Sequence, residues 1–442
     1  MARKLFGTDG VRGVAGELLT AELALGLGRT ATLQAGAQHP RVLVVRDTRE
    51  SGEMLEAALA AGVTAAGGDA LLGGVLPTPA APLLLGRYGL DLAAVISASH
   101  NPYADNGIKF FGADGFKLSD ATELRIEQRL NEPLAQPGRL GRVHRLHGTQ
   151  EDYLRSLHTR FAGLDLAGLD VLLDCANGAT HRVAPEMFRR LGATVTVVAD
   201  QPDGRNINDG CGSTHVDALA RTVVDGGHDL GFAFDGDGDR VLAVDRAGVV
   251  VDGDELIALA ALHLRSHGRL AGNGVVVTVM TNYGFHTAMH DAGIEVVTTK
   301  VGDRYVLEEL RARGWALGGE QSGHVIDMGF APSGDGTASA LLTLEALAGR
   351  DLADRHAMEK LPQRLVNVRV ADRDAAMDSP ELAAATQEAS RALAGRGRVL
   401  IRASGTEPLV RVMVEAPTMQ EADGVCAHLV ATVEATAGAP IA

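Results

Sequence analysis

A short apolar strand, a helix, further strands and then a polar loop recur in the same order three times along the chain. This repetition constrains the fold more than any single motif. "VLVV" at 42–45 leads through the helix-like "EMLEAALAAGVTAAG" to a strand near "ALLGGVL" and another at "AAVIS", which runs into "ASHNP". "VLLD" at 171–174 is followed by "MFRRLG", "ATVTVV", the helical "VDALARTVVDGG" and "LGFAF", which ends in "DGDGDR". "VVVTVM" at 275–280 is followed by "FHTAMHDAG", "IEVVTT", "RYVLEELRARG" and "WALGG", which runs into "EQSGH". Short apolar strands alternating with helices predict α/β units with mixed, mostly parallel sheets covered on both faces. Ligands of such sheets collect beyond the C-terminal ends of the strands, where these three loops fall.

The remainder reads differently. "RLVNVRV", the helix-like "PELAAATQEASRALAG", "RVLIRAS", "LVRVMVE" and a closing helix near 419–434 predict a smaller C-terminal α+β domain, which carries a fourth polar loop, "RASGTEP". Boundaries are expected near 155, 255 and 365, giving domains 1–155, 156–255, 256–365 and 366–442. A length of 442 residues leaves room for several cores, and few aromatics mean that those cores are aliphatic. Three widely spaced cysteines argue against a disulfide framework. The basic start "MARKLFGTDGVRG" lacks a signal-peptide core and no apolar run spans a membrane, so a cytoplasmic location is expected. A net charge of −15 argues against a general partner among nucleic acids or anionic membranes.

The loops carry the chemistry. "DGDGDR" sets Asp235, Asp237 and Asp239 at alternate positions, with Gly236 and Gly238 letting the backbone bend so that the oxygens converge. Close carboxylates repel unless a cation or protons neutralise them, which points to a hard divalent metal, Mg²⁺ for phosphate chemistry. An EF-hand is excluded, because its glycine position is Arg240 and its glutamate position Arg246. The alternative is a solvated acidic turn, against which the preceding "GFAF" anchors the loop in a core.

At "SASHNP" the residues alone leave two readings. Ser99 is a nucleophile or phosphate carrier with His100 and Lys109 as polarising neighbours, since a bare hydroxyl needs activation. Otherwise Ser99 or Asn101 caps a turn and Pro102 ends the strand. Ser97 is the nearest competitor, although its place within the strand predicts more burial. "GGEQSGH" offers Glu320, Gln321, Ser322 and His324, a mixture of donors and acceptors that suits a polyhydroxylated ligand and equally a solvated turn. "RASGTEPLVR" combines Arg402 and Arg411 with Ser404, Gly405 and Thr406, guanidinium forks and bending amides that fit an anion. Arg12, between glycines in "FGTDGVRG", is a ligand contact or a surface arginine. Trp315 and Cys175 are predicted to be core residues.

Together these loops resemble the α-D-phosphohexomutase superfamily: "SASHNP", "DGDGDR", "GEQSGH" and "RASGTEP" occur in that family's order over essentially the whole chain. "GTDGVRG", "GEQSGH" and "NINDGCGSTH" at 206–215 look like the branch acting on glucosamine phosphates. The resemblance implies four domains around a central cleft, the first three sharing a fold. It implies a phosphoryl group on Ser99, and one Mg²⁺ on Asp235, Asp237 and Asp239 together with an oxygen of that phosphoryl group. Arg240, Glu320 and Ser322 would contact the sugar, while Arg402, Ser404, Gly405, Thr406 and Arg411 would hold the phosphate that is not reacting. Arg12, Lys109 and His324 would assist proton transfer or bind near the reacting oxygen, and His100 is counted with them and Ser99 among the catalytic residues.

The reaction implied is an isomerisation. Phosphoserine donates to the 1-hydroxyl of glucosamine 6-phosphate, giving glucosamine 1,6-bisphosphate, the intermediate and activator. The bisphosphate turns end over end and returns its 6-phosphate to Ser99, leaving glucosamine 1-phosphate for amino-sugar and cell-envelope precursors. The partner expected is thus a small-molecule sugar phosphate, with no nucleic acid and no membrane; a homodimer is compatible with the sequence. Two other classes compete. A phosphatase with an aspartyl nucleophile predicts phosphate on Asp235. A non-catalytic sugar-phosphate sensor has no need of Ser99, the metal loop and Lys109 together.

Overall fold

The structure, a computed structural model, describes residues 5–130, 132, 138–404 and 407–436. The described residues form two compact units, one within 1–280 and 294–355, the other within 281–293 and 356–442.

The first unit holds three sheets. Strands β1 (Phe6–Gly7), β2 (Gly10–Val14), β3 (Arg41–Arg46), β4 (Asp69–Val75), β5 (Leu92–Ile96), β6 (Asp105–Gly112) and β7 (Val143–Arg145) lie in the order β1-β2-β6-β5-β3-β4-β7. Pairing is parallel from β5 through β3 and β4 to β7, and antiparallel from β5 through β6 and β2 to β1. The next sheet takes β8 (Asp170–Asp174), β9 (Thr194–Val198), β10 (Leu230–Phe234), β11 (Val241–Asp245) and β12 (Val250–Val251) in the order β12-β11-β10-β8-β9. The third takes β13 (Gly274–Thr278), β14 (Glu295–Thr299), β15 (Leu317–Gly319) and β16 (Val325–Asp327) in the order β14-β13-β15-β16.

One device repeats in all three. The last parallel strand (β5, β10 or β15) ends in a polar loop, and the chain then returns beside it as an antiparallel strand (β6, β11 or β16). The strands before the loops are buried along their whole length, as the apolar runs "LAAVI" and "LGFAF" require. A loop rooted on such a strand cannot drift, because its root is fixed by ladder bonds on both sides and by core packing on both faces. Trp315 and Cys175 are buried, as expected.

The second unit is built on the antiparallel sheet β17-β19-β18, from β17 (Gln363–Arg369), β18 (Arg398–Ala403) and β19 (Leu409–Glu415). Helices Pro380–Ala392 and Met419–Thr436 pack on it around Val410, Val412, Val414, Leu429 and Val433. Helix Tyr283–Asp291, although it lies between β13 and β14 in the chain, belongs to this unit. The Tyr283 N–H donates to Glu415 Oε2 at 2.7 Å, and Asn282 exchanges two hydrogen bonds with the backbone of Leu361.

Candidate active site

The loop after β5 and the loop after β10 meet at Ser99. Its Oγ donates to Asp235 Oδ2 at 2.5 Å and lies 3.2 Å from His100 Nδ1. Ser99 has φ 54°, the left-handed region that a side chain other than glycine or asparagine seldom enters. A buried guanidinium sustains that conformation. Arg49 donates through Nη1 to the carbonyls of Pro102 and Asp105 and through Nη2 to those of Ser99 and Asn101. Asp47 holds Arg49 Nε at 2.9 Å and accepts from Ser97 Oγ at 2.6 Å, while Ser97 Oγ takes the N–H of Ser99. Both serines are buried, so burial does not separate them as the sequence suggested. Their partners do: Ser97 is committed to loop architecture, whereas Ser99 faces the acidic loop.

Asp235, Asp237 and Asp239 are all buried, and ligand oxygens from the three lie within 4.8 Å of one another. Among the described residues, Asp237 Oδ1 and Asp239 Oδ1 are buried without a hydrogen-bond partner. Burial, then the charges of Asp239 and Asp237, push the Asp235 carboxyl well above the usual carboxylate range. Burial opposes the Asp239 charge, but His324, Lys109 and Arg240 hold that carboxyl below the usual range. Buried carboxylate oxygens that converge from three side chains fit a hard divalent cation. Gly238 adopts φ +71° to turn the loop. At Gly236 a Cβ would stand 2.6 Å from the Ser99 carbonyl oxygen, so only glycine lets the two loops come this close.

Cations from β2 and β6 face the same carboxylates. Lys109 Nζ lies 2.8 Å from Asp237 Oδ2, 3.5 Å from Asp9 Oδ2 and 3.7 Å from Asp239 Oδ2. Burial works against its charge, but the carboxylates Asp237, Asp9 and Asp239 outweigh it and raise the ammonium's pKa. Arg12 pairs with Asp9 and feels Asp237 and Asp239. Arg240 donates its N–H to Asp235 Oδ1 at 3.1 Å, and its guanidinium Nε lies 3.9 Å from Asp239 Oδ1. Burial, then Arg240 and Arg12, lower the His100 pKa and keep that ring neutral.

The loop after β15 adds His324, whose Nδ1 is 3.5 Å from Asp239 and whose Nε2 is 3.6 Å from Asp303. Burial opposes its charge, yet carboxylates at both ring nitrogens raise its pKa to about 9. The Gly334 N–H, 3.2 Å from Nε2, favours the neutral ring, but the paired carboxylates outweigh it. Glu320 is buried and accepts the Gly302 N–H at 2.9 Å. Ser322 is exposed. Gln321, which the sequence left open between a ligand contact and a turn residue, donates to Asp252 Oδ2 at 3.2 Å and so braces the cap of helix Gly253–Ser266.

In the second unit Arg402 and Arg411 are directly opposite one another on β18 and β19. Burial, then Arg411, lower the Arg402 pKa; among the described residues Arg411 Nε is buried without a hydrogen-bond partner, while its Nη2 lies 3.9 Å from Glu407 Oε2. Like charges across a ladder destabilise it unless an anion lies between them. Ser404 is buried beside them, its Oγ accepting the Glu407 N–H at 3.3 Å. Gly405 and Thr406 lie outside the described residues.

Several residues of the site escaped the sequence reading. Asp9, in the quoted "GTDGVRG" beside Arg12, is the counter-charge of Arg12, Lys109 and Lys117. Lys117 bridges Asp9 to Asp303. Thr78 Oγ1 donates to Asp237 Oδ2 at 2.6 Å. Only Asp9 stood near a motif from which it could have been found.

Comparison with known proteins agrees with this geometry. Models of the phosphoglucomutase/phosphomannomutase family match domain I at residues 3–136, domain II at 151–248, domain III at 252–365 and the C-terminal domain at 365–432. A phosphoglucosamine mutase of Moorella thermoacetica is 53% identical over 436 residues, covering 96% of this chain and 98% of its own. One of Cutibacterium acnes is 50% identical over 446 residues, covering 98% and 99%. Among solved structures, a phosphoglucomutase/phosphomannomutase family protein of Burkholderia thailandensis superposes with TM-score 0.81 at 23% identity, covering the whole of both chains. The N-acetylphosphoglucosamine mutase of Aspergillus fumigatus, solved with GlcNAc-6P and magnesium, does so with TM-score 0.70 at 20% identity, covering 98% of this chain and 96% of its own. With all four family models matched in order and half of its residues shared with curated relatives along nearly its full length, this chain belongs to the phosphoglucomutase/phosphomannomutase family, the α-D-phosphohexomutases.

Proposed function

We propose that the protein is a phosphoglucosamine mutase, interconverting glucosamine 6-phosphate and glucosamine 1-phosphate through phosphoserine at Ser99 and a 1,6-bisphosphate. The observation that supports it most is the meeting of a buried, conformationally held serine with three buried carboxylates and their cations. Relatives of that name at about half identity supply the substrate class.

In this reading Asp235, Asp237 and Asp239 hold Mg²⁺, which when bound neutralises charge on the phosphoryl oxygens. The chain's own residues do the rest. The Ser99 phosphoryl group passes to the sugar 1-hydroxyl: the bond from phosphorus to Oγ breaks, a bond to O1 forms, and the proton that leaves O1 is balanced by one taken up at the freed Ser99 Oγ. In the return step Ser99 Oγ attacks the phosphorus of the 6-phosphate, the bond from phosphorus to O6 breaks, and O6 leaves as the sugar hydroxyl after taking up a proton. The Ser99 Oγ proton is oriented by Asp235, and the neutral His100 at 3.2 Å can accept it. Lys109 and Arg12 oppose the charge spread over the equatorial oxygens, so that positioning and electrostatics carry the rate. His324, an imidazolium held between Asp239 and Asp303, adds positive charge near the reacting centre, and Arg240, Glu320 and Ser322 contact the sugar. Arg402, Ser404, Gly405, Thr406 and Arg411 bind the phosphate not being transferred. The corresponding domains are 1–155 for phosphoserine, 156–255 for metal, 256–365 for sugar and 366–442 for phosphate.

The test is a mutase assay on phosphorylated protein with glucosamine, glucose and mannose 6-phosphates. Highest kcat/KM with the glucosamine compound is expected. Preference for another hexose, or net release of inorganic phosphate, refutes the assignment.

A further inference from the structure

Residues 206–215, "NINDGCGSTH", distinguish a family branch in the sequence but carry no chemical role in the mechanism above. The third of them, Asn208, is buried and left-handed at φ 58°. Its Nδ2 donates to the Ser99 carbonyl at 2.9 Å and to the Asn101 carbonyl at 3.1 Å. The same two carbonyls accept Arg49 Nη2 at 2.9 Å each. Two oxygens of the serine loop therefore share two donors, one from the serine's own α/β unit and one from the next.

Asn208 is tied in turn to the acidic loop. A Cβ on Gly236 would lie 2.6 Å from the Ser99 oxygen and 2.7 Å from Asn208 Nδ2, so the serine carbonyl, the asparagine amide and the metal-loop backbone meet at one point. The Asn208 N–H donates to the Ala176 carbonyl at 2.9 Å. Further along the segment, the Gly212 N–H donates to Asp174 Oδ2 at 2.7 Å and the Ser213 N–H to the carbonyl of Phe234, the last residue of β10, at 2.8 Å. The segment is thus moored to the root of the acidic loop at one end and grips the serine loop at the other.

We propose that Asn208 is a positioning residue for phosphoryl transfer: its amide locks the Ser99 carbonyl against the metal loop and so fixes the reach of Ser99 Oγ to the Asp235 carboxylate. The proposal rests on the mutase reading. Phosphoryl transfer depends on in-line placement to a fraction of an ångström, and a carrier held from one side only loses that placement without losing its substrate.

Two variants separate donor from backbone. Asn208→Asp keeps shape but aims acceptors at two carbonyl oxygens. Asn208→Gly keeps the left-handed backbone and deletes the amide. Each is assayed for kcat and KM with glucosamine 6-phosphate, and for the rate at which glucose 1,6-bisphosphate phosphorylates Ser99, read by rapid quench and intact mass. We expect kcat and the phosphorylation rate to fall together by at least tenfold in both variants, with KM within twofold of the parent and circular dichroism unchanged. Parent rates per folded molecule in either variant overturn the proposal. So does loss of folded structure in both, which assigns Asn208 to stability alone. A parent protein that never carries phosphate on Ser99 refutes the mutase reading and this proposal with it; a phosphorylated parent matched by its variants refutes only the proposal.

Discussion

Replacing Lys109 by methionine removes the ammonium that sits 2.8 Å from Asp237 and within 3.7 Å of Asp9 and Asp239 while keeping a side chain of similar length. Lys109 is only 2% exposed, so water cannot take over its role. Removing one partner of a buried ion pair costs about 3–5 kcal/mol, because the other charge stays buried and uncompensated. Methionine recovers part of this through apolar packing, so about 3 kcal/mol is expected in chelator. A divalent cation on the aspartates neutralises the same charge. At a thousandfold excess over its dissociation constant, a ligand that binds only the folded state stabilises by about 4 kcal/mol. The assay is urea unfolding of parent and Lys109→Met, each with EDTA and with 10 mM MgCl₂. The variant should show the larger gain in midpoint on adding Mg²⁺, because its carboxylates lack a competing ammonium, and it should lose turnover under both conditions. A variant destabilised by less than 1 kcal/mol in EDTA, or indifferent to Mg²⁺, would refute the claim that Lys109 is the counter-charge of a metal loop.

Arg49→Lys cannot reproduce a planar fork that serves four carbonyls, and should cost about 3 kcal/mol in urea unfolding together with a lower rate of Ser99 phosphorylation; a loss under 1 kcal/mol contradicts it. Asp335 caps helix Gly336–Leu347, accepts from Tyr153 and is pushed up to about 7, chiefly by burial. A carboxyl whose folded pKa is raised contributes stability that is complete below its unfolded value near 4 and is lost as pH rises to about 7. The span is about 4 kcal/mol at about 1.4 kcal/mol per unit. Asp335→Asn should therefore flatten the dependence of the urea midpoint on pH between 4 and 7, and an unchanged slope would count against the burial argument. Arg402→Ala should weaken glucosamine 6-phosphate binding about tenfold by calorimetry, the loss of one charge-assisted fork, while leaving Ser99 phosphorylatable; unchanged affinity would make that loop a solvated turn.

The three α/β units were legible because apolar strands that run abruptly into polar loops break the pattern a strand sets up, and the break recurs at Ser99, Asp235 and Glu320. The return strands β6, β11 and β16 were not read separately, since an antiparallel partner after a short loop has the same apolar signature as the strand before it. What the sequence concealed is mainly charge compensation. Asp9, Lys117 and Asp303 are linked across 108 and 186 positions, and no local spacing announces such a chain. Arg49 looks like a surface arginine after "RDT" until the serine loop folds over it. The two serines show the limit of burial as a guide. Both are buried, and only their hydrogen-bond partners tell Ser97, committed to Asp47, from Ser99, which faces Asp235.

Incubation of the protein with glucose 1,6-bisphosphate and Mg²⁺, followed by phosphopeptide mapping by mass spectrometry, tests the central claim most directly. A single acid-stable phosphate on Ser99, absent from Ser99→Ala along with mutase turnover, is the result predicted. Phosphate on Asp235 or Ser97, or full turnover by Ser99→Ala, would contradict it.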